Sequence, residues 1–520
     1  MLIVLLIIPL IISFFTHLWN PLGFPTVHVD EGHYMRRVMQ VLEGLGPQEP
    51  ISTYVFAYDH PYFGQLFLAA ALSLIGYPDS LNPLVGNEHS IEMLYLVPRV
   101  LMGLIAVIDT FLVYKIAETR YNRKVAFIAA TLFAVMPLSW MLREIFLDSI
   151  LLPFFLLSIL FAIHSDKVST HNSNLGNILA FLSGIFLGIA IFTKAPTLFA
   201  IPVVIFLLIG NNKFRRMKRL ALGAIPMFLI PLMWPAYSVL NGTTHEWLNG
   251  ILYQLERESV TSLSHSLSLV YQIDPILLIV SFAGLAYSAI RRDFFPLLWV
   301  VPFLLFFYRS GWVTHFHWLV LLPALCIASA LLFDFYFERI KSKKSLSISR
   351  YIVLSAIITF GLISTTALIT TNLNSLYFQL YSYVVGELHD LSANYDYSSG
   401  NDPVTILGGH RVKALTWIPI YVFHYPVLFR DIDNPFDSFA RPITTKNIMF
   451  VADSDLRSRF YPLNYGDNSM DAKTSELSEI YYNATTVATF KDRTRADQYP
   501  PMSINENHGL GPFVEVREKH

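Results

Sequence analysis

Repeated apolar runs of membrane-spanning length constrain this chain most. After a first run at Leu2–Trp19, further runs cover Leu94–Ala117, Val125–Met141, Ile145–His164, Asn177–Phe192, Leu198–Gly210, Leu220–Leu240, Tyr271–Ile290, Phe294–Tyr308, His315–Tyr336 and Tyr351–Thr371. At 1.5 Å per residue, about 20 apolar residues cross a bilayer as helix. Read by length, the runs predict about eleven spans, two of them short enough to be broken or tilted. Only 14% of the 520 residues are charged, against about 25% in soluble domains. The expectation is an α-helical polytopic membrane protein. Leu2–Trp19 lacks a basic n-region and is read as a retained anchor.

Basic residues orient the spans. Arg120, Arg123 and Lys124, then Lys213 through Arg219, then Arg291 and Arg292, then Arg339 through Arg350 occupy alternate loops, and short basic loops stay cytoplasmic. The N-terminus is then cytoplasmic, and the loop after the first span faces outward with the tail. The sequons at Asn241 and Asn483 fall on that outer face. The net charge of -1 offers nothing to nucleic acid. The single cysteine, Cys326, can close no disulfide within the chain.

Two regions are not explained as spans. Residues 21–93 form a long external loop, whose segment Gly32–Leu45 carries Tyr34, Val38, Val41, Leu42 and Leu45 at helical spacing with Arg36 and Arg37 off the stripe. That pattern predicts an amphipathic helix lying in the outer interface. Pro61–Tyr77 reads as a second interfacial or re-entrant helix. From about 388 to 520 the composition turns to Asp, Asn, Pro and Tyr, with β-type runs at Val404–Leu407, Asn447–Val451, Thr486–Phe490 and Phe513–Val516. This predicts a small extracytoplasmic α/β domain beside a membrane domain of residues 1–371. Gly408-Gly409-His410 lacks the fuller glycine pattern of a nucleotide loop and is read as a plain turn.

The outer ends of the spans hold polar groups that membrane burial does not explain. Asp30 and Glu31 follow the first span, and Tyr58-Asp59-His60-Pro61 precedes the second, which Arg99 opens. Arg143 and Asp148 flank the next outer turn. Lys194, then Arg309, His315 and His317, sit at later ones. Singly, each has a bland reading: a helix-start acid, a snorkelling cation, a structural histidine. Asp109, inside a span, reads as a buried packing group. Acids, cations and histidines from five segments on one leaflet instead suggest an outward hollow with a carboxylate base, suited to an anionic lipid-linked donor.

In order and type these elements resemble the GT-C superfamily of polyprenyl-phosphate-sugar glycosyltransferases, closest to the dolichyl-phosphate-mannose protein O-mannosyltransferases and their aminoarabinose-transferase-like relatives. The resemblance rests on Asp30-Glu31, His60-Pro61 with Gly64, Arg99, the stretch Arg143-Glu144-Ile145-Phe146-Leu147-Asp148-Ser149, Thr193-Lys194, and His317-Trp318 with Pro323. It covers residues 1–371. Tyr62 and Gln65 depart from the family's second proline and lysine. The loop 241–270 is too short for an inserted β-trefoil, and the Trp-Trp-Asp-Tyr-Gly signature of oligosaccharyltransferases is absent.

The resemblance implies inverting transfer of a monosaccharide, mannose in the family, from a polyprenyl-phosphate donor to an acceptor hydroxyl. Asp30 would be the base, with Glu31 orienting Asp30 or the acceptor. Arg143 and Lys194, backed by Arg99 and Arg309, would meet the leaving phosphate. His60, His315 and His317 would line the sugar site beside Asp148. No metal is expected, although the paired acids leave a divalent ion open. The acceptor could be protein, lipid or polysaccharide. The rival reading is a transporter or flippase of lipid-linked sugar, against which stand the absence of inverted repeats and the rim position of the acids.

Overall fold

The computed structural model describes residues 2–48, 58–169, 171–209, 213–256, 262–310, 312–340, 347–394, 403–431, 447–453, 479–491 and 513–519. Helix α1 (Leu2–Leu18) lies against the 33-residue α4 (Glu88–Arg120) and α5 (Arg123–Val135). Ser13 and Thr110 share a hydrogen bond of 2.7 Å across the α1–α4 seam. Asn87 caps α4 through the Ser90 amide, so the helix starts six residues before the apolar run and is about 50 Å long. That exceeds the roughly 30 Å hydrocarbon thickness, and its outer end carries Leu94, Tyr95 and Arg99 into a second layer.

Two predicted spans are broken by proline. After α5 the chain turns by 68° into a 3-10 segment, Pro137–Arg143. Helices α12 (Leu263–Ile273) and α13 (Pro275–Ile290) meet at 117°. Asp274 sits at that corner with Pro275 in the first helical position, and its Oδ1 accepts from the Leu277 amide at 3.0 Å. Among the described residues five helices are long and apolar enough to cross a membrane, or seven with each bent pair taken as one span. The count of eleven is not reached by that measure. Five further apolar helices are shorter: Leu5–Leu18, Phe63–Ser73, Ala195–Ile209, Phe294–Arg309 and Leu322–Phe337. The apolar runs are where the sequence puts them, but proline and capping residues cut the helices that form within them.

The remaining helices build the core around α6 (Leu147–Ser169), α7 (Ser173–Thr193), α8 (Ile201–Ile209) and α9 (Lys213–Leu229). Helices α7 and α9 touch backbone to backbone. A Cβ on Gly184 would lie 1.9 Å from the Gly223 carbonyl oxygen, so small residues set this approach. Helices α10 (Met233–Leu240), α14 (Phe294–Arg309), α15 (Leu322–Ile340) and α16 (Ser347–Ile369) are further apolar helices, and α11 (Thr244–Glu256) lies against α10.

The outer layer consists of α2 (Val29–Leu42), α3 (Phe63–Ser73), α17 (Ser375–Asn394) and a five-stranded sheet. The strands are β1 (Val404–Gly408), β2 (Val427–Asp431), β3 (Ile448–Asp453), β4 (Thr485–Lys491) and β5 (Phe513–Lys519), in the order β2-β1-β3-β5-β4. The β2, β1 and β3 strands are parallel, with Ile406 opposite both Phe429 and Met449, while β5 and β4 run antiparallel. All four β-type runs are strands. β2, which follows Tyr425-Pro426, was not anticipated. Gly408-Gly409 leads from β1 into a single helical turn, His410–Lys413.

The sheet is not a separate bead. Val404, Ile406, Met449, Val514 and Val516 share one buried apolar cluster with Met35, Val38 and Met39 of α2, Leu68 of α3, Leu94 and Tyr95 of α4, and Tyr377 and Tyr381 of α17. This corrects the picture of α2 as a helix lying in the lipid interface. Arg36 and Arg37 are both buried, and a Cβ on Gly32 would meet the Ala414 backbone at 1.9 Å. Gly32→Val should therefore lower stability by about 1–3 kcal/mol through overpacking. In thermal unfolding of the detergent-solubilised protein this appears as a lower Tm, whereas an unchanged Tm would show that the contact yields.

Candidate active site

The entry to α2 is fixed by one buried ion pair. The Arg99 guanidinium, fully buried in α4, donates Nε to Glu31 Oε1 at 3.0 Å and Nη2 to Oε2 at 2.6 Å. Its Nη1 donates to the Pro21 and Pro25 carbonyls at 2.8 and 2.9 Å. Glu31 also accepts from the Ile145 amide at 3.1 Å and the His28 amide at 2.9 Å. Each carboxylate oxygen therefore holds two donors and every guanidinium nitrogen is used. Such a bidentate pair is strong and geometrically specific. Asn374 completes the anchor by accepting from the Val27 amide and donating to the Leu22 and Pro25 carbonyls.

Glu31 and Arg99, both expected in the site, therefore spend their polar atoms on the frame. In this structure both Glu31 oxygens are turned to Arg99 and to the His28 and Ile145 amides. Arg143 lies on the same inner side, within electrostatic reach of Arg99 and Glu144. It is fully buried, donates Nη2 to the Trp19 carbonyl, and has no hydrogen-bond partner for Nε or Nη1. Arg309, at the end of α14, is exposed.

The other expected residues converge. His28 caps α2 by accepting from the Asp30 amide at 3.1 Å, and the Asp30 carboxylate keeps 35% of its surface open. Lys194, in the corner after α7, is paired with Asp148 at the start of α6 at 2.6 Å, both nearly buried. Its ammonium lies 5.4 Å from the Phe316 ring centre. His28, Phe146 and Phe316 pack edge to face or tilted at 5.0–5.8 Å. His60 lies within electrostatic reach of Asp59, Lys194, Arg37 and Asp30. His317 is within reach of Lys194, His60 and His315. The His317 Nδ1 accepts from the Thr314 amide at 3.1 Å, which leaves Nε2 to carry the proton. His315 packs beside Trp140. Five segments thus meet in one polar cluster.

Asp59, Arg37 and His33 belong to it as well. Arg37 Nη2 donates to Asp59 Oδ1 at 2.6 Å, and His33 Nε2 lies 3.8 Å from Oδ2. Burial alone would push the Asp59 carboxyl up, but the Arg37 guanidinium, by charge and by hydrogen bond, leads the effects that outweigh it and hold it below the usual range. Burial, reinforced by Arg37 and opposed by Asp59, holds His33 well below the ordinary imidazole value. Burial likewise holds His60 down, with Lys194 and Arg37 helping while Asp59 and Asp30 oppose. Both rings are neutral at pH 7. Burial and the carboxylates of Asp30, Asp59 and Asp148 push Tyr34 well above its usual value.

Residues 33–234, which run from α2 into α10, match the family model of dolichyl-phosphate-mannose-protein mannosyltransferase. ArnT from Cupriavidus metallidurans bound to undecaprenyl phosphate superimposes with a TM-score of 0.57 at 12% identity, over 99% of this chain and 97% of that one. The apo oligosaccharyltransferase of Archaeoglobus fulgidus superimposes with a TM-score of 0.57 at 13% identity, over 94% of this chain and 73% of that one. The chain shares the fold of these two structures. A search of curated proteins finds no match.

The alignment with ArnT includes the outer sheet, so the likeness of fold extends past the 1–371 stretch that carried the resemblance in sequence. Arg37 and His28 carried no motif. Their signal was positional only, since His28 stands at the helix cap and Arg37 lies seven residues from Asp30, on the same helical face.

Two outcomes follow from this geometry. Removing one partner of the buried pair, as in Arg99→Met, leaves an uncompensated Glu31 and should cost about 3–5 kcal/mol; the double variant Arg99→Met, Glu31→Leu should recover much of it, as read from denaturation midpoints. The depressed histidines bind fewer protons folded than unfolded, so stability should fall as the pH drops below about 6.5. His33→Asn and His60→Asn should flatten the Tm-versus-pH curve between pH 6.5 and 5.

Proposed function

We propose that this protein is an inverting glycosyltransferase of the outer membrane face, moving a monosaccharide from a polyprenyl-phosphate donor to an acceptor hydroxyl. The observation that carries the reading is the convergence of a half-open carboxylate, Asp30, with the Lys194 ammonium and the neutral imidazoles of His60 and His317. It is supported by the mannosyltransferase family match and by a fold shared with ArnT bound to undecaprenyl phosphate. The basic loops favour a cytoplasmic N-terminus and an outward site.

In this scheme the acceptor oxygen attacks the anomeric carbon as Asp30 takes its proton. The bond from that carbon to the phosphate oxygen breaks, and the electron pair leaves with the lipid phosphate. Lys194 keeps two N–H donors beyond its bond to Asp148 and meets the charge that develops there, joined by the His60 and His317 N–H groups. Asp148 holds Lys194 in place. Arg143, buried one layer in with its Nε and Nη1 nitrogens unpaired, supports the phosphate side. Much of the rate enhancement comes from holding donor and acceptor in line.

Asp30→Asn should lower kcat for release of polyprenyl phosphate from a labelled polyprenyl-phosphate sugar by about 10²–10⁴-fold, while donor binding and Tm stay at wild-type levels. Full turnover in that variant would remove Asp30 from the role. Movement of intact lipid-linked sugar without bond cleavage would instead establish the transporter.

A further inference from the structure

We infer that Asp59 is the sugar-recognition carboxylate of this site and that it selects a neutral, polyhydroxylated donor sugar over an amino sugar. The inference rests on the transferase reading above. Asp30, then His33 and Tyr34, then Arg37 stand at i, i+3, i+4 and i+7, one face of α2. That face fronts the Asp59-His60 segment, as the Arg37–Asp59 and His33–Asp59 distances show. Two helical turns separate Arg37 from Asp30 by about 10 Å along the axis. Asp59 thus stands at the far end of a polar strip that begins at the proposed base.

The chemistry of Asp59 points to hydroxyls. Its Oδ1 is bonded to the Arg37 guanidinium. Its Oδ2 has its nearest ring nitrogen at 3.8 Å, beyond hydrogen-bond reach, and so keeps lone pairs to accept. The side chain retains 16% of its surface, so one edge is open to a partner. Arg37 already compensates its charge, so a substrate ammonium gains little there and meets the buried guanidinium besides. A sugar O–H donates to Oδ2 without adding charge, and the bond is charge-assisted. His33, neutral and alongside, adds ring N–H or N chemistry suited to the same hydroxyls. A strut that merely held the loop would need no open edge.

The test uses the full chain in lipid nanodiscs with three probes: polyprenyl-phosphate mannose, polyprenyl-phosphate glucose and a polyprenyl-phosphate 4-amino pentose. Release of lipid phosphate gives kcat and KM, and binding of sugar-free polyprenyl phosphate is measured separately. Wild type should prefer the two hydroxylated donors. Asp59→Asn should lose about 10–100-fold in kcat/KM for them, with unchanged affinity for the sugar-free lipid. Asp59→Glu should restore part of the discrimination, and it carries the test if the Asn variant does not fold. Equal loss for sugar-bearing and sugar-free lipids would overturn the inference and make Asp59 a loop anchor. So would a wild-type preference for the amino sugar. A wild type inert towards all three donors would be a different result, because it would remove the transferase reading on which this one stands.

Discussion

The Arg99–Glu31 pair is the joint on which the outer half of this molecule turns. One guanidinium and one carboxylate, both without solvent exposure, tie together the loop at Pro21 and Pro25, the cap of α2, the middle of α4 and the chain entering α6 at Ile145. Two buried charges are tolerable only because each carboxylate oxygen and each guanidinium nitrogen finds a partner. The same pair decides where the neighbouring residue goes. With Glu31 drawn inward, Asp30 sits about 100° around the helix from it, within electrostatic reach of His60. Two adjacent acids thus have opposite surroundings.

Much of this was legible in the sequence, and the part that was not has physical causes. The apolar runs, the four β-type runs of the tail and the rim location of the ionisable groups could all be read from pattern. Helix ends could not, because Pro137, Pro275 and Asp274 act through local backbone geometry that an average over 20 residues hides. The partition of the charged residues was equally hidden. Arg99, Arg143 and Lys194 look alike as span-end cations, yet Arg99 is saturated by Glu31 and two carbonyls, while Lys194 spends one N–H on Asp148. What separates them is partner geometry across more than 40 residues of sequence. Arg36 and Arg37 mislead for a related reason: a polar face signals water or a polar partner equally, and here the partner of Arg37 is Asp59.

The site uses few net charges. Lys194 is neutralised by Asp148, Asp59 by Arg37, and the imidazoles are held neutral. Asp30, 3.9 Å from the His28 ring nitrogen, keeps about a third of its side-chain surface open.

The backbone contact between Gly32 and Ala414 has a further consequence for traffic. It presses the tail onto α2 and covers that flank of the helix with protein. The corner after α7 is built the other way: Leu198 and Phe199, just past Lys194, turn apolar surface outward. On the proposed reading, a donor carried on a hydrocarbon chain would approach beside the lysine, along the face that Leu198 and Phe199 open, while the tail frames the opposite flank.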